Sequence, residues 1–209
     1  MITLNPSHVK ILTMPVPRNP SSRPYHHGDL RASLLDAAEA LLNADAGRAL
    51  TLREVAKAAG VSHAAPYHHF ASLTGLLAAV AERGFANLAA AMEGASRADT
   101  PRESLMAICE TYVDFARARP ARFRLMFGPL LARKSEFAGL QRAAEEAFGV
   151  LLTAATAFAP ANGPALALTG WSLAHGLANL VIDGALDNLP VQPPPIDQLA
   201  RMMARQVLG

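Results

Sequence analysis

Cysteine occurs once in this chain of 209 residues, at Cys109, so no internal disulfide can staple the fold. A lone thiol suits a reducing compartment, and the cytoplasm is the expected location. Cys109 itself reads as a small buried hydrophobe. Strand-like alternation is missing throughout, as are internal repeats. No apolar run of sufficient length follows the first residues, which argues against a signal peptide. There is no phosphate loop and no set of nucleophile, base and orienting group, so neither enzyme chemistry nor a cofactor is expected. The adjacent histidines His26-His27 and His68-His69 splay around a helix without a Cys or carboxylate set beside them, and no metal site is expected.

Charge is missing from one long stretch: residues 164–182, "PALALTGWSLAHGLANLVI", run for 19 positions without Asp, Glu, Lys or Arg. That length would span a bilayer. Gly170, His175, Gly176 and Asn179 lie inside it, Asp183 follows, and basic flanks are absent, so a buried helix of a soluble helical core is the expectation and no membrane partner is assigned.

The formal net charge of +2 hides an asymmetry. Residues 1–90 carry 8 Lys+Arg, 6 Asp+Glu and six of the seven histidines, whereas residues 91–209 carry 11 bases and 11 acids. Residues 1–24 hold Lys10, Arg18 and Arg23 within the Pro/Ser-rich run "PVPRNPSSRP" and the residues before it, which together read as a disordered basic tail.

From Gly28 onward Leu30, Leu34, Leu35, Ala38, Leu41 and Leu42 recur at helical spacing, predicting an amphipathic helix that ends near a Gly47 C-cap. Thr51 followed by Glu54 forms a capping-box pattern and opens a second helix, stopped by Gly60. Ser62 is the expected cap of a short third helix through Phe70, and Ser72 of a fourth running to about Met92. Further helical stretches are expected over 101–118, 121–131, 135–158, 164–188 and 195–208. The fold class is therefore all-α, an N-terminal three-helix module joined by a fourth helix to a larger bundle.

The pair "TLREVAKAAG" and "HAAPYHHF", joined by a glycine turn, has the form of a helix-turn-helix, whose second helix enters the major groove. Leu52, Val55, Ala56, Ala59 and Val61 supply its apolar face, Gly60 the positive φ of the bend. A structural αα-hairpin would share this spacing. His63, Ala64 and Ala65 stand where a short recognition helix reads base edges, while Tyr67, His68 and His69 carry stiff donors suited to phosphate. Phe70 belongs to the core.

The segment "TLREVAKAAGVSHAAPYHHFASLTGLLAAV" resembles the DNA-binding region of the TetR family of transcriptional regulators, with the form T-x-R-x-[IV]-A-x-x-A-G-V-S-x-x-x-x-Y-x-[HY]-F. The likeness covers roughly residues 28–85. It implies a helix-turn-helix DNA-binding domain over 25–88, including the linker helix, and a C-terminal effector-binding and dimerisation domain over 89–209. It also implies a homodimer on a palindromic double-stranded operator, with a small-molecule effector. The resemblance makes Tyr67 and His69 the foremost phosphate contacts and sets Thr51 and Arg53 near the backbone at the start of the preceding helix; Ser62 is counted with the DNA-binding residues. Where the family pattern is S-K-x-x-L, this chain reads Ser72-Leu73-Thr74. That phosphate contact is missing, and the load shifts to the tail and Arg31.

In "GWSLAHGLANLVIDG" Trp171, His175, Asn179 and Asp183 are spaced by four, a polar ladder on an apolar helix. It suits either a ligand pocket or a subunit interface. The W-x-x-x-H-G element is similar to the WHG-type C-terminal domain of one TetR subgroup. Candidate walls of an apolar pocket are Met106, Cys109, Tyr112, Phe115, Phe123, Met126 and Phe127, with Trp171, His175 and Asn179; core packing would use the same residues. The cations of "RARPARFRLMFGPLLARK" are expected on a solvated face. The leading function is a DNA-binding regulator, a repressor released by a small apolar effector. The alternative is a hydrophobic-ligand-binding protein with a vestigial helix-turn-helix.

Overall fold

The computed structural model describes residues 27–44 and 50–208; the basic tail, His26 and the Gly47 cap lie outside the described residues. Among the described residues there are eight α-helices and no strand: α1 (His27–Ala44), α2 (Leu52–Ala58), α3 (Leu73–Ala95), α4 (Pro101–Ala118), α5 (Pro120–Phe127), α6 (Ala138–Phe158), α7 (Gly163–Ile182) and α8 (Ile196–Leu208). Short 3-10 turns fill the gaps at Ala65–His68, Pro129–Leu131, Lys134–Glu136 and Ala185–Asn188.

Local chemistry accounts for several helix starts. The Thr51 side chain accepts from the Glu54 amide at 3.2 Å while the Glu54 carboxylate accepts from the Thr51 amide at 3.0 Å, a complete capping box. Ser72 caps α3 by accepting from the Gly75 amide at 3.1 Å, and Thr100 caps α4 through the Glu103 amide. Gly60, at φ +69°, makes the bend after α2.

The segment after that bend departs from expectation. Residues 62–70 form a single 3-10 turn, Ala65–His68, with Ala64 at its start and no side-chain cap. Ser62 contributes its carbonyl, which accepts from the Ala65 amide, and its hydroxyl caps nothing. Pro66 supplies no N–H, and one turn offers few amides for a cap to satisfy. The carbonyl of Pro66 still accepts from the amides of His69 and Phe70, which closes the turn.

α3 is the central rod. Its buried residues run from Leu76 to Met92, and it packs on α1, α4, α5 and, most extensively, α6. At 1.5 Å per residue its 23 residues span about 34 Å, through position 88 without a break. α5 lies close against it at Gly84, where an added Cβ would stand 2.6 Å from the Met126 sulfur.

Two further expectations are corrected. α7 is not a buried core helix: only 22% of its most apolar window is buried, and Leu168 and Leu180 are exposed. It buries Ala167, Ala174, Leu177 and Ala178 against α4, α6 and α8, leaving the opposite side uncovered. By length and composition alone it would also cross a membrane. Nor do the cations of 117–134 share a solvated face, because Arg122 is only 2% exposed. Its Nη1 lies 3.1 Å from Glu39 Oε1, and its guanidinium sits 5.3 Å from the Phe115 ring centre.

Candidate nucleic-acid interface and ligand cavity

The helix-turn-helix is held by apolar contacts that keep its polar residues outside. Leu52, Val55, Ala56, Pro66 and Phe70 are buried, with Ala59 and Val61 packed against them. Thr51, Arg53, Ser62, His63, Ala64, Tyr67, His68 and His69 are all exposed, and Ala65 is half-buried. Tyr67 has 58% of its surface free although no core contact requires it there. Arg31 of α1 lies with its guanidinium 5.6 Å from the Phe70 ring centre, beside the turn. Among the described residues, those expected to contact DNA thus fall on one unit, Thr51 and Arg53 at the start of α2 and the rest on or beside the short turn, exposed except for half-buried Ala65.

A cavity of about 680 Å³, open to solvent on one side, lies between α3 and the helices that follow it. α3 contributes Phe85, Leu88 and Met92, α4 Tyr112, α5 Phe127, α6 Phe148, Leu151 and Leu152, and α7 Leu168 and Trp171. The volume falls within the ~300–1,000 Å³ usual for small-molecule sites. Polar groups stand among the lining residues Arg133, Lys134, Ser135, Gln141 and Glu145. Lys134 is half-buried, its Nζ 5.7 Å from the Phe85 ring centre, and burial holds its ammonium below the ordinary lysine value.

Of the residues expected to line a pocket, Tyr112, Phe127 and Trp171 do so. Phe123 and Met126 are fully buried in the core, and Phe115 packs against Arg122. Cys109 lines a separate narrow cleft of about 30 Å³ between α4, α7 and α8. Burial, followed by the nearby Glu110 charge, pushes its thiol up to about 11. His175 stands one layer behind the wall. The Trp171 indole N–H donates to the Tyr112 hydroxyl at 3.1 Å, and that hydroxyl lies 2.8 Å from His175 Nδ1. The proton between the phenol and His175 Nδ1 is carried by the hydroxyl in one neutral imidazole tautomer and by Nδ1 in the other. Burial favours the neutral imidazole by lowering the His175 pKa, and it raises that of Tyr112.

The lower rungs of the ladder are also satisfied within the chain. Asn179 Nδ2 donates to the His175 carbonyl at 2.8 Å, and Asp183 pairs with Arg124 at 2.6 Å. Trp171 is the rung that reaches the cavity; His175 ties α7 to α4 and Asp183 ties its end to α5, while Asn179 bonds within α7 itself.

Residues 34–80 match the model of bacterial regulatory proteins of the tetR family, and residues 105–207 match the tetracyclin repressor-like C-terminal domain. A protein of unknown function from Rhodococcus sp. RHA1 superposes with a TM-score of 0.77 at 32% identity, covering 90% of this chain and 97% of that one. The TetR family transcriptional regulator PfmR from Thermus thermophilus shares the fold, with a TM-score of 0.62 at 21% identity over 84% of this chain and 96% of its own. A curated relative, the nucleoid occlusion factor SlmA of Glaesserella parasuis serovar 5, is 30% identical over 104 residues. That match spans 49% of this chain and only about half, 52%, of SlmA. With both halves matched and the exposed recognition turn seated between α2 and α3, the chain belongs to the TetR family of DNA-binding transcriptional regulators.

Proposed function

We propose that this protein is a cytoplasmic repressor that binds a palindromic operator as a homodimer and is released by a small molecule occupying the cavity walled by α3, α4, α6 and α7. The domain limits at 25–88 and 89–209 belong to the same reading. One observation carries it. A single helix, α3, starts five residues beyond the end of the turn at His68 and, further along, contributes Phe85, Leu88 and Met92 to the cavity wall. A ligand that moves this wall relocates the turn at the other end of the rod. In a dimer, that alters the spacing of two turns that must match successive major grooves about 34–36 Å apart. An effector achieves release only by binding the DNA-incompetent arrangement more tightly than the competent one.

Within this reading His63 and Ala64 face base edges, Ala65 supports them, and Tyr67, His68, His69, Thr51, Arg53 and Ser62 meet the phosphate backbone. The exposed sides of α7 and α8, with Leu168, Leu180 and Met202, are the dimer surface. Titrating salt against binding to the upstream DNA of its own gene tests the regulator. A steep salt slope together with a sequence preference is expected. Binding without sequence preference would favour the vestigial reading instead.

A further inference from the structure

The cavity has two chemically different parts. Its depth is hydrocarbon and aromatic, with Phe85, Met92, Phe148, Leu152 and Trp171 among its walls. Its polar part is formed by the segment joining α5 to α6, which places Arg133 and Lys134 side by side. Arg133 is exposed and takes Glu136 at 3.6 Å. Lys134 forms no ion pair among the described residues; its ammonium rests near the Phe85 ring. Glu145, also at the cavity, is engaged by Gln141 Nε2 at 2.8 Å. A half-buried cation without a carboxylate, beside an apolar cavity, offers strong binding to an anion that brings its own hydrocarbon.

We propose that the effector is a single-chain amphiphile whose tail fills the aromatic depth and whose anionic head, a carboxylate or a phosphate, is held by the Lys134 ammonium. This rests on the regulator reading, because it names the ligand class for that same cavity. A neutral apolar effector would fill the depth equally well and leave Lys134 unpaired. A cationic amphiphile would be repelled by the unpaired Lys134 ammonium and could turn only to the Glu145 carboxylate, since Arg133 is paired with Glu136.

The test uses the full chain and the fluorescence of Trp171, its only tryptophan, titrated with dodecanoate, dodecyl phosphate, 1-dodecanol and dodecyltrimethylammonium. The wild-type protein is expected to bind at least one of the two anions about tenfold more tightly than 1-dodecanol, and the cation most weakly, since a hydrogen bond to a charged group is worth about one decade or more. Lys134→Ala should abolish that preference while leaving 1-dodecanol affinity within about twofold; Lys134→Arg should retain it. The tighter anion identifies the head. Equal binding of anions and alcohol, a preference that survives Lys134→Ala, or no binding by any of the four overturns the proposal. DNA release measured in parallel separates the two readings. An anion that binds without releasing DNA upholds the ligand class and removes the release mechanism, whereas release by the alcohol alone does the reverse.

Discussion

At the scale of single residues, the contacts proposed for the turn rest on a few stiff side chains. Tyr67→Phe and His69→Ala are expected to weaken binding to all DNA sequences alike, by about 0.5–1.5 kcal/mol for each hydrogen bond lost, whereas changing His63 should alter which sequence is preferred. Binding selections on randomised DNA would reveal the difference, and an equal loss of specificity from all three changes would contradict the assignment. Thr51→Ala removes one side of the capping box and should cost about 1 kcal/mol in a denaturant melt. The caps at Thr51 and Ser72 were legible in the sequence because a cap and its amide lie three residues apart. The brevity of the recognition turn was less so. Pro66 signals a first turn, but whether a second turn follows depends on how Phe70 is drawn into the core between α1 and α3.

At the scale of helices, one carboxylate joins the helix-turn-helix module to the C-terminal half. Glu39 of α1 takes Arg83 of α3 at 2.8 Å, Arg122 of α5 at 3.1 Å and Arg119 at 3.3 Å, while Arg83 also holds Asp36 at 2.6 Å. Arg122 Nε and Nη2 are buried with no hydrogen-bond partner in the protein, so Glu39 is the main compensation for a desolvated cation. Glu39→Ala should therefore destabilise the fold by about 3–5 kcal/mol, seen as a lowered denaturation midpoint. The double change Glu39→Leu with Arg122→Met should recover most of that loss, since an apolar pair leaves no uncompensated charge. A Glu39→Ala protein as stable as the wild type would mean that water already solvates Arg122. Sequence reasoning placed the Arg122 side chain in solvent because its partner is 83 residues away, beyond any local pattern. The cavity was half-legible for a related reason. Trp171 and Phe127 stood out as aromatics, but Phe85, Leu88 and Met92 read as linker, and only the packing of α3 on α6 makes them a wall.

At the scale of the molecule, two properties concern assembly and acidity. Leu180→Asp on the uncovered side of α7 should shift the protein to monomers in sedimentation and weaken operator binding, because a C2 interface carries each substitution twice. Acidity should act through His175, whose pKa is lowered by burial. The unfolded chain then takes up its proton near pH 6.5, before the native protein does. Native stability is full above that point and falls as the pH drops through the lower native value. Melting temperature should decline between pH 7 and 5, and His175→Gln should flatten that decline; parallel profiles would place the acid sensitivity elsewhere. All-helical architecture and helix order were readable from periodicity and punctuation. The half-exposure of α7 was not, because an apolar helix made for a partner has the same composition as one made for a core.

The lone thiol gives the molecule a practical property. Burial pushes the Cys109 thiol up to about 11, so very little of it is thiolate at pH 7. A maleimide-linked nitroxide should therefore modify it far more slowly than an exposed cysteine introduced by Ala64→Cys. Every dimer would then carry two spin labels, one on each recognition turn. Dipolar spectroscopy between them would read the separation of those turns directly, with and without a bound amphiphile.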